Sequence, residues 1–301
     1  MSSVLLNTSR FGNIVRVKKL LSQNVNPNIV DKDGRTPLYW ASYGDHPKVV
    51  RELLSYKANP NIRDKEGQTP LYIASMKGYS KIVKELLTGP DGSGDSDGGG
   101  ADPNIVDNLK QSPLFRACQN NHLEVVEILL TTPGIETDPN IANVDGTTPL
   151  STASSHGYLE VVKLLLSARA DPNISDVDGQ YPLHLASIYG NLEIVKELLT
   201  NANNGIGMDV NIVDKSNRTP LYYASYYGQL EMIEELLSNG ANPDIANEDS
   251  ETPLYSGIEH EYLEILENYF ISLQRLSIGS IRKHGIDITK ISSTLYSSRV
   301  E

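Results

Sequence analysis

Apolar residues recur along the chain in short runs at helical spacing. The runs "LEVVKLLL" at 159–166 and "LEIVKELL" at 192–199 place Leu, Val and Ile on one side of a helix. Their Glu and Lys residues fall on the opposite side. Each run therefore predicts a short amphipathic helix with one buried face.

A second pattern precedes these runs and predicts another short helix. Leu and Ala stand one helical turn apart, as in Leu38 and Ala41, and the small Ala lets a neighbouring helix approach closely. A Thr-Pro step opens the helix, with Thr suited to the N-cap and Pro to the first helical position. An Asp-Gly or Glu-Gly pair just before it indicates a tight turn, and a Gly at the far end indicates the helix C-terminus. The Thr residues in question are Thr36, Thr69, Thr148, Thr219 and Thr252.

The two helices repeat at a regular interval. The Pro-Leu step occurs at Pro37, Pro70, Pro113, Pro149, Pro182, Pro220 and Pro253, at intervals of 33, 43, 36, 33, 38 and 33 residues. A base period of 33 with occasional insertions is typical of a protein built from stacked repeats.

This pattern resembles the ankyrin repeat, whose units share the Asp-Gly turn, Thr-Pro-Leu-His, Ala, Gly and a hydrophobic second helix. The resemblance covers roughly residues 4 to 270 and includes an N-terminal helix pair without a turn, at Leu5, Thr8 and Gly12. It implies an all-α fold, an ankyrin-repeat solenoid of about eight stacked helix pairs with β-turn fingers. We expect residues 1–270 to form this solenoid and residues 271–301 a short helical tail.

The sequence departs from the family pattern at the His of Thr-Pro-Leu-His. Only His184 keeps it, and aromatic residues replace it at Tyr39, Tyr72, Phe115, Tyr222 and Tyr255. In the family this His bonds the loop backbone, so we expect the Tyr hydroxyls to do the same. The last repeat also departs from the family pattern, with Glu261 in place of Gly. A degenerate terminal repeat is typical of a cap or a docking surface.

The longest insertion, "TGPDGSGDSDGGGA" at 88–101, is rich in Gly, Ser and Asp. Such residues bury too little apolar area to offset the entropy of ordering, so a mobile loop is expected. The segment does not match a phosphate-binding loop, because Asp97 stands where the second Gly of that motif is needed. A calcium loop starting at Asp95 fails because Val106 stands in place of its closing Glu.

Composition narrows the function classes. The net charge of −12 argues against binding nucleic acid, whose phosphates require a basic surface. No apolar run is long enough to span a membrane, and the N-terminus lacks the features of a secretory signal. The single cysteine, Cys118, excludes an intrachain disulfide and suits a reducing compartment. We therefore expect an intracellular protein, in the cytoplasm or the nucleus.

No arrangement of residues predicts catalysis, a metal site or a cofactor. Cys118 lies near His122, but it occupies a slot that holds Ser in other repeats, which indicates a packed small residue. The six His residues are scattered among the repeats without metal-ligand spacing.

The residues that vary between repeats indicate where a protein partner binds. They fall on the concave surface that the resemblance implies, formed by the fingers and the first helices. Exposed aromatic residues are favoured anchors of interfaces. For Trp40 and Tyr189 the alternative is packing between neighbouring repeats. The predicted binding residues are Arg35, Trp40, Tyr43, Met76, Lys77, Tyr189, Arg218, Tyr226 and Tyr227.

The tail carries a second resemblance. "SLQRLSIGSIRKH" at 272–284 is similar to the first helix of a SOCS box, which reads Ser-Leu-x-x-Leu-Cys-x-x-x-Ile-Arg. The resemblance implies that Leu273, Leu276, Ser277 and Ile281 bind elongin C, with Ser277 in place of the usual Cys. The later Leu-Pro-Leu-Pro stretch that recruits a cullin is missing. The alternative is an amphipathic helix that only caps the last repeat.

Two functions therefore remain open. The chain is either a substrate-recognition adaptor of a ubiquitin ligase, joined through elongins B and C to a cullin, or a stand-alone interaction scaffold. Both are non-enzymatic, and both bind an unknown protein target on the same solenoid.

Overall fold

The computed structural model describes residues 2–89, 100–201, 208–253 and 255–256. These residues hold fourteen α-helices and no β-strand. The helices are α1 (Ser2–Arg10), α2 (Ile14–Ser22), α3 (Pro37–Tyr43), α4 (Pro47–Ser55), α5 (Pro70–Lys77), α6 (Ser80–Thr88), α7 (Pro113–Gln119), α8 (Leu123–Thr131), α9 (Pro149–His156), α10 (Leu159–Ser167), α11 (Pro182–Ile188), α12 (Leu192–Asn201), α13 (Pro220–Tyr226) and α14 (Leu230–Ser238). The predicted tail at 271–301 lies outside the described residues, as does most of the predicted loop at 88–101.

The helices form pairs, and the pairs stack within two compact units. The first unit covers Met1–Val177, and the second begins at Asp178. In the first unit the odd-numbered helices α1 to α9 contact one another in sequence, and so do the even-numbered helices α2 to α10. In the second unit α11 contacts α12 and α13, and α14 packs against both α12 and α13. We call the odd-numbered members first helices and the even-numbered members second helices.

The first helices begin as the Thr-Pro step predicts. The Thr36 side chain accepts a hydrogen bond from the Tyr39 N–H at 3.0 Å, and Pro37 opens α3. Thr69, Ser112, Thr148 and Thr219 cap their helices in the same way. The exception is α11, which follows Tyr181. There the side chain of His184 takes part instead, since its Nδ1 accepts the Tyr181 N–H at 3.3 Å.

The core lies between the first and second helices of each stack. Leu38, Ala41 and their counterparts on α5, α7, α9, α11 and α13 are buried, together with one face of each second helix, such as Val49, Val50 and Leu53 of α4. Each fully buried Leu stabilises the fold by roughly 1.5–3 kcal/mol relative to an exposed one. Cys118 is one of these packed residues, as its slot in the repeat predicts.

The fingers between the helix pairs are tight turns joined to one another through their backbones. The Lys65 N–H donates to the Asp33 carbonyl at 2.9 Å, and the Asn108 N–H donates to the Glu66 carbonyl at 2.9 Å. Within each finger an Asp or Asn side chain folds back on the turn, as when Asp31 accepts the N–H of Arg35 at 3.0 Å. The Asp-Gly turn requires glycine at Gly34, where φ is +83° and a Cβ would lie 3.2 Å from the Asp64 Cα. The fingers thus hold the starts of the first helices in register.

Candidate partner-binding surface

Five of the predicted binding residues come together on the first helices and fingers of the first unit. We call this group, with the addition of Arg10, the Trp40 cluster: Arg10, Arg35, Trp40, Tyr43, Met76 and Lys77. Its members lie on α1, α3 and α5 and on the finger before α3. The stacking of neighbouring first helices brings them into contact.

Trp40 lies at the centre of the cluster between two guanidinium groups. The Arg10 Cζ is 4.4 Å from the centroid of the Trp40 ring, and the Arg35 Cζ is 5.4 Å from it. Trp40 is half-buried, and its Nε1 donates a hydrogen bond to Asp31 Oδ2 at 2.8 Å. Trp40 therefore packs in the fold and also presents part of its ring to solvent.

Tyr43 continues the cluster toward the next repeat. Its ring meets the Trp40 ring edge-on at 5.8 Å, and the Lys77 Nζ lies 4.6 Å from the Tyr43 centroid. Tyr43 remains 40% exposed. A cation over an aromatic ring orients both groups without removing the charge from solvent.

Met76 and Arg35 are held more firmly by the fold. Met76 packs with Trp40 against the buried group formed by Tyr39, Tyr72 and Ile73. The Arg35 Nε donates to Asp64 Oδ2 at 3.3 Å, and the Asp64 side chain is almost entirely buried. Arg35 therefore links two successive fingers, so that part of its charge is already balanced.

The Tyr residues at the position of the family His join successive repeats through side chains. The expectation that their hydroxyls bond the loop backbone is wrong. The Tyr72 hydroxyl donates to Asp107 Oδ2 at 2.7 Å, and the Tyr39 hydroxyl donates to Gln68 Oε1 at 3.2 Å. A phenol reaches further than an imidazole, so its hydroxyl passes the backbone and meets the side chains of the next finger.

Burial keeps these phenols protonated. It raises the pKa of Tyr39 to about 12 and that of Tyr222 to about 12. His184, the one residue that keeps the family pattern, places its Nε2 3.0 Å from the Arg218 carbonyl oxygen. The backbone contact is therefore made where the imidazole remains.

In the second unit the predicted residues Arg218, Tyr226 and Tyr227 lie around the buried Tyr222, and Tyr227 is the exposed one of the group. Tyr227 is 45% exposed, and its ring meets that of Tyr226 edge-on at 5.0 Å. Tyr226 stacks on Tyr222 at 6.4 Å, and the Arg218 Cζ lies 5.7 Å from the Tyr222 centroid. We call Arg218, Tyr222, Tyr226 and Tyr227 the Tyr226 cluster.

Tyr189 is the most exposed of the predicted residues. It follows α11, and 63% of its surface is accessible. Packing between repeats, the alternative for this residue, therefore accounts for little of its side chain. The predicted elongin-binding residues Leu273, Leu276, Ser277 and Ile281 lie outside the described residues.

The sequence patterns missed several exposed apolar side chains on the fingers. Leu109, Val144 and Val177 are each about half exposed on three successive fingers of the first unit. Val144 and Val177 stand where other fingers carry Lys32 and Lys65. An alignment of the finger tips with one another would have revealed them. Arg10 was missed because the first helix pair has no finger to mark its position.

The described residues show no constellation for catalysis or metal binding. The His122 Nε2 lies 3.0 Å from the Met76 carbonyl oxygen, which occupies the ring in a contact between repeats. Burial raises the pKa of the Cys118 thiol, which disfavours the reactive thiolate. Within the ranges described, no group of three His, Cys, Asp or Glu residues could hold a metal ion. No helix in those ranges is both long and apolar enough to cross a membrane.

Stacked helix pairs joined by β-turn fingers, with aromatic side chains exposed on the first helices, define a repeat scaffold. The family model for ankyrin repeats matches residues 5–94, 98–176 and 168–247. The chain therefore belongs to the ankyrin-repeat family, whose members are generally non-enzymatic scaffolds for protein–protein interaction.

Comparison with solved structures supports the same fold. The chain is similar to the ankyrin repeat domain of Bcl-3, described as a unique member of the IkappaB protein family. The two share 28% sequence identity over 78% of this chain and 100% of the Bcl-3 chain, with a TM-score of 0.66. A search of curated proteins found no match. The family matches end at residue 247, so they do not extend to the SOCS-like tail.

Proposed function

We propose that the chain is an interaction scaffold that binds a protein target on the Trp40 cluster and on the Tyr226 cluster. The observation that carries this proposal is the exposure of large aromatic rings at the ends of first helices, above all Tyr43 at the end of α3 and Tyr227 directly after α13. Tyr and Trp supply much of the binding energy of protein interfaces because they bury a large area at low entropic cost. We further propose that binding takes place inside the cell, in the cytoplasm or nucleus, because the single cysteine suits a reducing compartment.

Site-specific photo-crosslinking tests this function. A photoreactive phenylalanine analogue is placed at Tyr43 or Tyr227, and in matched controls at Arg51 or Glu231 on second helices. We expect covalent adducts with another protein from the first-helix positions and none from the second-helix positions. Adducts of equal yield from both sets would contradict the proposal. The double substitution Tyr226→Ala with Tyr227→Ala should then weaken binding of the crosslinked protein to the Tyr226 cluster, without unfolding the chain.

A second function rests on the sequence of the tail. We propose that residues 272–284 bind elongin C and make the scaffold an adaptor for a ubiquitin ligase. The pattern Leu273, Leu276, Ile281 supports this role, because these apolar positions are the ones a SOCS box uses. Ser277 weakens the case, since a buried hydroxyl gains less than a thiol and costs more when unpaired. The missing Leu-Pro-Leu-Pro stretch leaves the choice of cullin open.

Co-expression with elongins B and C tests the adaptor function. Wild-type chain should bind weakly, Ser277→Cys should bind more tightly, and Leu273→Ala should not bind. If neither the wild type nor Ser277→Cys binds, and Leu273→Ala lowers the melting temperature, the tail is a cap and the scaffold acts alone.

A further inference from the structure

We propose that the Trp40 cluster binds an acidic peptide segment of its partner, one that carries Asp or Glu residues around a large apolar side chain. This inference rests on the proposed function and names the chemistry of the partner. It follows from two cations, Arg10 and Lys77, that lie beside aromatic rings and form no ion pair in the described part of the chain.

The first helices of the first unit carry only basic charges. Lys77 lies on α5, Arg10 on α1 and Arg116 on α7, and none of the five first helices contains Asp or Glu. The chain as a whole has a net charge of −12. Acidic residues are therefore absent from the helical part of this surface and occur on the second helices, on the fingers and, as Asp45, in the turn after α3.

Two of the cations in the Trp40 cluster have no carboxylate partner within the described part of the chain. Arg10 and Lys77 form none of the ion pairs found there, and each lies against an aromatic ring instead. Arg35 differs, because Asp64 and Asp33 lie 3.3 Å and 3.7 Å from it. Arg10 and Lys77 are thus free to pair with carboxylates from a partner, with the exposed ring of Tyr43 next to Lys77.

The spacing of the contacts makes this one surface. Arg10 lies 4.4 Å from the Trp40 ring, Trp40 lies 5.8 Å from Tyr43, and Tyr43 lies 4.6 Å from Lys77. An apolar side chain can settle on the two rings while carboxylates on either side meet the two cations. Met76, half-buried beside Trp40, supplies an adaptable apolar floor.

A nucleic acid would also suit cations and aromatic rings, but the surrounding charges disfavour it. Asp33 and Glu66 stand at the tips of the adjoining fingers, and a long phosphate backbone would pass them. A short peptide places its carboxylates only where the cations are. The net negative charge of the chain further opposes a polyanion that extends beyond the cluster.

Selection from a random displayed peptide library, with the full chain as bait, tests the inference. We expect the selected peptides to be enriched in Asp and Glu and to contain a Trp, Phe or Leu. The Kd of one selected peptide, measured by fluorescence anisotropy, should rise with salt concentration. It should also rise at least about tenfold in the charge reversal Arg10→Glu with Lys77→Glu.

The matched control is Arg16→Glu with Lys19→Glu, which makes the same change of charge at exposed residues on α2. It should leave the Kd within about twofold. Should the reversal at Arg10 and Lys77 fail to fold, judged by circular dichroism, Arg10→Gln with Lys77→Gln takes its place. Peptides without acidic bias, an equal effect of the control pair, or competition by a single-stranded oligonucleotide would overturn the inference.

The same peptides separate this inference from the proposed function. Tyr43→Ala should weaken peptide binding if the Trp40 cluster is a binding surface at all. If Tyr43→Ala weakens binding and the charge reversal does not, the Trp40 cluster is a binding surface but the inference of an acidic partner is wrong. If neither change affects binding, both proposals fail for this surface.

Discussion

Tyr72 joins two repeats through its hydroxyl, which lies 2.7 Å from Asp107 Oδ2 and 3.4 Å from Gln111 Oε1. Its hydroxyl donates to Asp107 Oδ2, and the other oxygen of that carboxylate accepts the backbone N–H groups of Leu109 and Gln111. The finger therefore depends on Asp107 for its shape, and Tyr72 satisfies the remaining oxygen. One repeat earlier the Tyr39 hydroxyl donates to the neutral amide of Gln68, while the counterpart of Asp107, Asp64, accepts from Arg35 instead.

Replacing Tyr72 with Phe should destabilise the chain more than replacing Tyr39 with Phe. A hydrogen bond to a charged group contributes about 1.5–3 kcal/mol, and one between neutral groups about 0.5–1.5 kcal/mol. The free energy of unfolding in urea measures both. Equal losses for the two substitutions would show that the charge of Asp107 contributes nothing to this contact.

His184 gives the second unit a dependence on pH. Burial lowers the pKa of its imidazole to about 4 from an ordinary value of 6.5, although the Arg218 carbonyl and the charge of Asp214 oppose the change. The His184 side chain of the unfolded chain is therefore protonated below pH 6.5, whereas that of the folded chain is protonated only below about pH 4. Stability attributable to His184 is present in full above pH 6.5 and is lost as the pH falls toward 4.

The size of this loss is about 3 kcal/mol at most. We expect His184→Gln to flatten the fall in unfolding free energy between pH 6.5 and pH 4, relative to the wild type. His156→Gln, the same change at an exposed His, is the control. A wild-type slope that survives in His184→Gln would assign the pH dependence to other groups.

At the scale of the helix, the caps are where sequence and structure agree most closely. A Thr followed by Pro sets a helix start through contacts within four residues, so the sequence predicted Thr36, Thr69, Thr148 and Thr219 correctly. Helix α11 departs from the rule because Tyr181 has no side-chain acceptor within reach of the helix N-terminus. Its start depends on the His184 ring, which is the only His kept at this position.

Tyr181→Thr should supply the missing cap and raise the stability of the second unit by about 0.5–1 kcal/mol. Thr219→Ala, which removes a cap that α13 already has, should cost about 1 kcal/mol. Both effects can be measured as shifts of the urea midpoint. A destabilised Tyr181→Thr would show that the contact between the Tyr181 and His184 rings, 5.8 Å apart, outweighs a cap.

At the scale of the molecule, the long insertion leaves the repeat and returns to it at equivalent backbone positions. The Ala101 N–H donates to the Leu86 carbonyl at 2.8 Å, as the Ala58 N–H does to the Leu53 carbonyl at 3.0 Å. Ala58 lies five residues after Leu53. Deletion of residues 90–99 would give Leu86 and Ala101 the same separation.

We expect this deletion to change the melting temperature very little, because closing a long loop costs only slightly more than closing a short one. The measurement is thermal unfolding followed by circular dichroism. A matched deletion of 202–207, the corresponding stretch after α12, is the comparison. A loss of several degrees from deleting 90–99 would show that the insertion itself contributes to stability.

The repeats could be predicted from the sequence because their determinants are local, whereas the contacts within the Trp40 cluster could not. The contact between Arg10 and Trp40 joins a helix without a finger to the next repeat, and no periodic pattern links the two residues. The sequence allowed two roles for Trp40, packing between neighbouring repeats or binding a partner. The structure shows that the Trp40 Nε1 bonds to Asp31 of the same repeat, while its ring stays partly exposed beside Arg10 of the preceding helix pair.

The bonds between fingers have a further consequence for how such a chain can lengthen. They join a backbone N–H to a backbone carbonyl, and the donors include Lys65, Asn108, Val144 and Val177. Side chains of three different kinds thus occupy one structural position without altering the link. A duplicated repeat would offer the same backbone N–H and carbonyl groups to the fingers on both sides, so this link would require no complementary mutation. As far as this link is concerned, the chain can lengthen by one repeat at a time, and the side chain at the finger tip can differ in each copy.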